Sequence, residues 1–376
     1  MKYVAIYDTP ANKEQNRGYQ LSAANKIDYI CGVLSRLGHP VEIVSASLTA
    51  NKKGCARKNM QLSEMVTLKL FPCLGMGGVL KRAVRKVLTQ LRLLAQLLFH
   101  TRKGEPVLVY HSVSYANTIA LARRIKDFRL ILEVEEIYAD VTGNEKDRPK
   151  EFRLFAAADA YLFPTQLLAE IVNTCKKPCV IVHGTYQAEP DRGDSLFQDD
   201  KIHCVYAGTL DPRKGAAMAA AAAEFLPEHY HIHILGFGSE AEKRALQELA
   251  EELSGKCRCG ISYDGLRSGD DYIRFLQSCH IGLSPQDPDA AFNGTSFPSK
   301  VLSYMANGLQ VVSIRIPTIE RSAISNCLHF YDEQTPEEIA KAILSVDPSC
   351  GEDPRMTVEQ LDKNVVRELE KLLNAV

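Results

Sequence analysis

Residues 293–317 read NGTSFPSKVLSYMANGLQVVSIRIP, and their order decides the fold class. Pro298 suits the first turn of a helix, where its missing N–H is no loss. Ser296 and Ser299 put hydroxyls near that terminus, as capping groups or ligand contacts. Val301, Leu302 and Met305 share one face at helical spacing, and Gly308 follows Asn307 where a left-handed C-cap belongs. Residues 309–316 are mostly apolar or β-branched and read as a buried strand. The stretch is therefore a loop, a helix start, a short helix and a parallel-type strand. Its amides, hydroxyls and Lys300 make a ready anion site; an ordinary αβ unit without a ligand would carry the same pattern.

The alternation extends upstream. Strands at 203–207, 231–235, 261–263 and 280–284 alternate with helices at 216–225, 241–253 and 270–278, and a last helix spans 358–373. Residues 183–200, polar and rich in turn formers, read as an interdomain linker. Before the linker, strands at 3–7, 41–45, 106–110, 129–134, 160–163 and 179–182 accompany helices at 21–37 and 116–126. Strand, helix, strand at this spacing implies parallel, doubly wound α/β sheets. Ligands of such sheets sit at the carboxyl ends of the strands. In the first half those ends carry the 8–19 loop with Arg17, Gly18 and Tyr19, then His111-Ser112, then Glu133, Glu135, Glu136 and Asp140.

A chain of 376 residues is long for one core and implies two domains, 1–184 and 185–357. The net charge of −1 carries no nucleic-acid signature. Eleven cysteines, scattered and lacking paired zinc spacing, read as free thiols in a reducing compartment. The opening MKYVAIYD reads as a strand and not a signal peptide, and no run of about 18 apolar residues predicts a membrane span. A cytoplasmic protein is expected.

One insert stands apart, at 65–103. Val84, Val87, Leu88, Leu91, Leu94, Ala95 and Leu98 form an apolar helical face. Lys81, Arg82, Arg85, Lys86, Arg92, Arg102 and Lys103 surround it, with no acid between Glu64 and Glu105. A helix at 81–103 lying on an anionic membrane surface fits this pattern, on the inner face of the plasma membrane; a core helix with a solvated basic face fits it equally.

The runs AGTLDPRKG (207–215), ILGFGSE (234–240), YDGLRSGDDYIRFLQSCHIGLSP (263–285) and SFPSKVLSYMANGLQVVS (296–313) resemble, in order and spacing, the C-terminal half of family 4, or group 1, glycosyltransferases of the GT-B fold. The resemblance implies two Rossmann-like domains facing across a cleft, the last helix (358–376) crossing back to the first. It implies a nucleotide-sugar donor on the second domain, a UDP-sugar expected, and a glycan or lipid-linked acceptor on the first. Retaining transfer in cell-surface polysaccharide synthesis follows, with no metal or other cofactor required.

By that resemblance Lys214 matches the family's diphosphate lysine. The family's preceding arginine falls at Thr209, so Arg213 is expected to replace it. Gly236 and Gly238 would let backbone approach the ligand, and the Tyr263–Leu266 turn would hold the base. Asn293, Gly294, Thr295, Ser296, Ser299, Lys300 and Ser303 complete the donor set. The family's two glutamates fall at Thr295 and Ser303, a departure that leaves open a sugar-nucleotide epimerase, a hydrolase or a non-catalytic sugar-nucleotide-binding protein. Glu135 and Glu136 are the candidate acid–base groups, with His111 beside them as a contact or a satisfied buried histidine. His229, His231 and His233 alternate on one strand face, but no fourth ligand is evident and no metal is expected.

Overall fold

One antiparallel edge apart, every paired strand described in this protein runs parallel to its neighbour. The computed structural model describes residues 1–193, 195–348 and 352–375, the side chains of 291 and 292 excepted. The chain divides into two compact units, Met1–Thr185 with Asn364–Val376, and Tyr186–Lys363.

In the first unit β1 (Lys2–Ala5), α1 (Leu21–Arg36), β2 (Val41–Ser45), β3 (Lys58–Gln61) and β4 (Val66–Leu70) lead into the long α2 (Val79–His100). Then come β5 (Pro106–Tyr110), α3 (Ala116–Ile125), β6 (Arg129–Glu133), α4 (Tyr138–Thr142), α5 (Arg148–Ala157), β7 (Ala160–Phe163), α6 (Gln166–Val172) and β8 (Cys179–Ile181). The sheet order is β3-β4-β2-β1-β5-β6-β7-β8. Central strands such as β6 and β7 are buried along their length, as a parallel sheet covered on both faces demands.

The second unit holds β9 (Ile202–Thr209), α7 (Ala216–Ala221), β10 (Tyr230–Phe237), α8 (Glu240–Ser254), β11 (Gly260–Gly265), α9 (Asp270–Gln277), β12 (Ile281–Ser284) and α10 (Ser299–Ala306). It ends with β13 (Gln310–Ile314), α11 (Pro317–Glu320), β14 (His329–Tyr331) and α12 (Pro336–Leu344). Its sheet order is β11-β10-β9-β12-β13-β14. A last helix, α13 (Pro354–Ala375), starts in the second unit and finishes in the first.

The sequence pattern missed β3, β4 and β14. All three lie on or next to sheet edges, where one exposed face dilutes the apolar run: β3 alternates half-buried with exposed residues. In α2 the apolar stripe read from the sequence is largely not the face that packs on the unit. Thr89, Leu93, Gln96 and Leu97 are the buried residues of this helix. The stripe Leu80, Val84, Val87 and Leu91 is 42–78% exposed, and Val79 and Phe99 are exposed with it. Lys81, Arg82 and Lys86 are exposed too, whereas Arg85 donates to the Thr49 carbonyl at 2.8 Å and Arg92 to that of Pro72. No described helix is long and apolar enough to cross a membrane.

Two glycines set how closely the second unit packs. A Cβ at Gly236 would lie 2.1 Å from the Gly208 carbonyl oxygen, its register partner on β9. Gly215 has φ +81° and a Cβ there would meet the Pro285 carbonyl at 1.7 Å. Gly32, exposed within α1, meets nothing within 4 Å. Gly236→Ala should therefore lower stability by about 1–3 kcal/mol, the cost of an overfilled contact. Gly32→Ala should raise it by about 0.5–1 kcal/mol through helix propensity. Urea denaturation of the two variants checks both signs.

Candidate functional site

The carboxyl ends of β9 and β12 are tied to α10 through one tyrosine in its last turn. The Tyr304 hydroxyl accepts the Ala207 amide of β9 at 2.7 Å and donates to the Leu283 carbonyl of β12 at 3.3 Å. This pins α10 over the sheet and places Lys300, in its first turn, above Tyr206. The Lys300 Nζ lies 3.8 Å from the Tyr206 ring centroid. It is buried, and among the described residues it has no hydrogen-bond partner. Gly208 leaves room beside it: a Cβ there would sit 3.3 Å from Nζ. Burial, reinforced by the charge of Lys214, pushes the Lys300 amine down to about 7. Burial also holds Lys214 below the ordinary lysine value, with Asp211 pulling the other way.

Two lysines thus lie near one another by the start of α10, a helix with no side-chain cap. Neither Ser296 nor Ser299 caps it, and Pro298 occupies the N-cap position and not the first turn. Ser299 is exposed and Ser296 and Thr295 are half-buried, in the segment leading into the helix.

Other expected donor residues do different work. Arg213 is exposed and ion-paired within its own turn, Nη2 to Asp211 Oδ2 at 2.6 Å and Nε to Oδ1 at 3.0 Å. Its charge is largely met by Asp211, which leaves the half-buried Lys214 and the buried Lys300 amine as the cations of this region. Thr209 ends β9, its carbonyl accepting from the Tyr206 hydroxyl at 2.7 Å. Gly236 serves the β9–β10 approach, and Gly238 lies against Glu242, which closes the capping box of α8. Tyr263 lies within β11 and donates to the Gly236 carbonyl at 3.3 Å; Leu266, just past the strand, is exposed. Asn293 is buried, donating to the Asp287 carbonyl at 2.5 Å and accepting from Gln286 at 2.7 Å, so it folds its loop; Gly294 beside it faces open space. Ser303 hydrogen-bonds Tyr272 and accepts Asn307 through its carbonyl. Tyr206, Tyr304 and Tyr272 have no mark in the sequence, because a tyrosine in a buried segment reads only as apolar bulk.

In the first unit the end of β6 carries a chain of ionisable groups. Tyr3 donates to Glu133, which is fully buried. Burial raises Glu133 well above the ordinary carboxylate range, and Glu135 adds to it. Glu135, half-buried, is ion-paired with Lys26 at 2.8 Å, and Lys26 also donates to the Val182 carbonyl at 2.5 Å. Glu136 is half-buried and raised, mainly by burial.

His111 is 1% exposed, packed between Tyr138 and Phe155, with Nε2 3.3 Å from Glu151. Burial pushes it down to about 4, so it is neutral and enclosed, with no open face for an acceptor. Arg17 is likewise buried, its guanidinium donating to Gln15, Ser47, Phe71 and Cys55; it clamps the loop instead of reaching outward. Gly18 is exposed with its amide on the Leu48 carbonyl at 3.0 Å, and Tyr19 is half-buried. Asp140 is exposed and ion-paired with Arg148.

Residues 201–346 match the family model described as Glycosyl transferases group 1. The fold is GT-B, and the group 1 match lies within its second unit. No curated protein matches the chain. Among solved GT-B structures, a trehalose-6-phosphate protein from E. coli bound with UDP-2-fluoro glucose is 11% identical at a TM-score of 0.64, covering 100% of this chain and 97% of that one. A trehalose 6-phosphate synthase from Burkholderia multivorans is also 11% identical, at 0.64, covering 100% and 94%. A UDP-forming trehalose-phosphate synthase from Burkholderia xenovorans in complex with glucose-6-phosphate is 12% identical, at 0.57, covering 100% and 96%.

The GT-B first unit also carries a pH signature. Glu133 binds its proton more tightly folded than unfolded, so its contribution is fully present below the unfolded value of 4.5 and falls as pH rises toward neutrality. Glu133→Gln should remove that slope and make the protein relatively more stable at pH 8 than at pH 5. Urea midpoints of both forms at the two pH values test it.

Proposed function

We propose that this GT-B protein is a glycosyltransferase that binds a nucleoside diphosphate sugar, a UDP-sugar, through Lys214, Lys300 and the start of α10. The observation that carries the reading is the buried Lys300 amine without a hydrogen-bond partner. An ammonium in such a place is costly unless an anion completes it. A diphosphate supplies the missing acceptors and is the group whose charge grows as the sugar departs. Stabilising it there is the largest rate effect the site offers. Transfer proceeds with retention, the donor phosphate taking the acceptor proton. Of the two carboxylates expected to orient an acceptor hydroxyl, Glu135 is ion-paired with Lys26, which leaves Glu136 for that role. The solved neighbours bound with UDP-2-fluoro glucose and with glucose-6-phosphate support a UDP-sugar donor and a sugar-type acceptor.

Binding should couple to protonation. The free Lys300 amine sits near 7 and a bound diphosphate raises it. Affinity should therefore be flat below pH 7 and weaken as pH rises above it, with proton uptake on binding at pH 8. Lys300→Met should cost about 1.5–3 kcal/mol of UDP affinity, as for a hydrogen bond to a charged group, and abolish the uptake. Calorimetry in two buffers of different ionisation enthalpy measures both; unchanged affinity and unchanged uptake would remove Lys300 from the site. Turnover of UDP-sugars with and without acceptor separates transfer from hydrolysis, epimerisation and mere binding, the readings that Thr295 and Ser303 leave open.

The exposed stripe on α2 supports a lipid-linked acceptor and a peripheral place on the inner face of the plasma membrane, in cell-surface polysaccharide synthesis. Leu80, Val84, Val87 and Leu91 would enter the interface while Lys81, Arg82 and Lys86 meet anionic headgroups. Each basic residue is worth about 1 kcal/mol there. Reversing these three charges to Glu should release the protein from phosphatidylglycerol vesicles in co-sedimentation. Equal sedimentation of both forms, or none of either, would defeat the membrane reading and leave the diphosphate reading intact.

A further inference from the structure

The amino ends of the second sheet hold a histidine cluster that nucleotide binding does not use. His203 is near the start of β9 and His231 is its register partner on β10; His233 lies two residues further along β10. Alternation puts all three on one face. One ring nitrogen from each lies within 4.8 Å of the others, and His203 and His233 are buried. Lys300 lies at the other end of the strands, beside Gly208 at the carboxyl end of β9. His229, third of the alternating set, is not part of the cluster; His203, from the neighbouring strand, takes its place.

The hydrogen bonds around these rings dictate their tautomers. His203 Nε2 is 2.8 Å from Asp199 Oδ1, and His233 Nδ1 is 3.0 Å from Asp264 Oδ2. Ser262 donates to the same Asp264 oxygen at 2.8 Å, which keeps that carboxylate an acceptor. A neutral imidazole has one N–H. Each of these two rings spends it on its carboxylate, and His203 Nδ1 and His233 Nε2 then face one another at 2.9 Å, lone pair to lone pair. Two acceptors at that distance repel unless a cation lies between them. A proton could serve, but burial disfavours added positive charge on His203, and His231, stacked on His233 at 4.2 Å with Nε2 3.1 Å from the Ser262 hydroxyl, brings a third imidazole within reach once its ring turns off Ser262.

We propose that His203, His231 and His233 bind a divalent first-row transition metal of the zinc class, with Asp199 and Asp264 as the carboxylates that orient two of the ligands. Imidazole is the preferred donor for such ions, and a carboxylate on the far ring nitrogen is their usual support. Tetrahedral zinc with bonds of about 2.0–2.1 Å needs its nitrogens about 3.3 Å apart, so the His203–His233 contact opens by a few tenths of an ångström. A depression lined by Phe197, Asp199, Lys201, His203 and His280 gives entry from solvent. Phe197 stacks on His203 at 3.9 Å and on His233 at 4.7 Å, a cover that keeps the ion dry. His280 stays outside, since its Nδ1 accepts the His203 amide at 3.0 Å. The ion would tie β9, β10 and the 195–201 segment together, a structural role at the opposite edge from the nucleotide.

The test uses tag-free, full-length protein stripped with chelator and titrated with zinc chloride alone. One ion per chain should bind and raise the thermal midpoint, and cobalt should give the intense visible absorption of a tetrahedral site. His203→Gln with His231→Gln should weaken binding at least 100-fold, while His229→Gln binds as wild type. Asp199→Asn, a change at an exposed position that leaves the ligands in place, should weaken it about 10- to 100-fold, the usual loss for an orienting partner. Zinc binding of equal strength in wild type and the double variant would show adventitious surface binding and overturn the site. So would no binding at all, with imidazole NMR showing one extra proton shared by His203 and His233.

Discussion

An ammonium group held away from water with no hydrogen bond is the constraint around which the second unit is arranged. Lys300 is kept there by the Tyr206 ring beneath it, by the absence of a side chain at Gly208, and by Tyr304. The tyrosine hydroxyl bonds both β9 and β12, so α10 cannot tilt to let the lysine reach solvent without breaking two buried hydrogen bonds. The cost of burying that charge is met by a lowered affinity for its proton, down to about 7.

The same packing explains the glycines. Gly236 and Gly208 are register partners across β9 and β10, close enough that a Cβ at Gly236 would collide with the Gly208 carbonyl. Gly215 allows the turn carrying Lys214 to press on the Pro285 carbonyl, bringing that lysine toward Lys300. Backbone economy at these positions builds the cationic site as much as the lysines do.

The first unit handles buried charge differently. Glu133 is enclosed and accepts from Tyr3, while its neighbour Glu135 is neutralised by Lys26. Glu151 accepts two backbone amides at the start of α4 and lies against a neutral His111. Glu133 Oε1, Glu135 Oε1 and both His111 ring nitrogens lack a hydrogen bond among the described residues, as Lys300 Nζ does, but Glu135 and His111 each have an oppositely ionisable neighbour within reach, and no described ion pair includes Lys300. In the histidine cluster the outer nitrogens lie on Asp199 and Asp264 and the inner ones oppose each other.

Sequence alone determined the α/β class and the repeat of strand and helix, because parallel strands buried on both faces write continuous apolar runs and their turns write glycine and charge. Val41–Ser45 and Pro106–Tyr110 needed nothing more. It also marked Lys214 and Lys300 as cations near helix starts. Tertiary structure decided what those cations meet. Arg213 reads as a ligand until Asp211 is seen to hold it, and Arg17 reads as a substrate contact of the 8–19 loop until four partners are seen to enclose it. The exposed stripe of α2 could not be told from a core stripe, because helical periodicity reports that a face is apolar and not what covers it. His203 joins His231 and His233 only through strand register, a relation between residues 28 apart in number that no local pattern encodes.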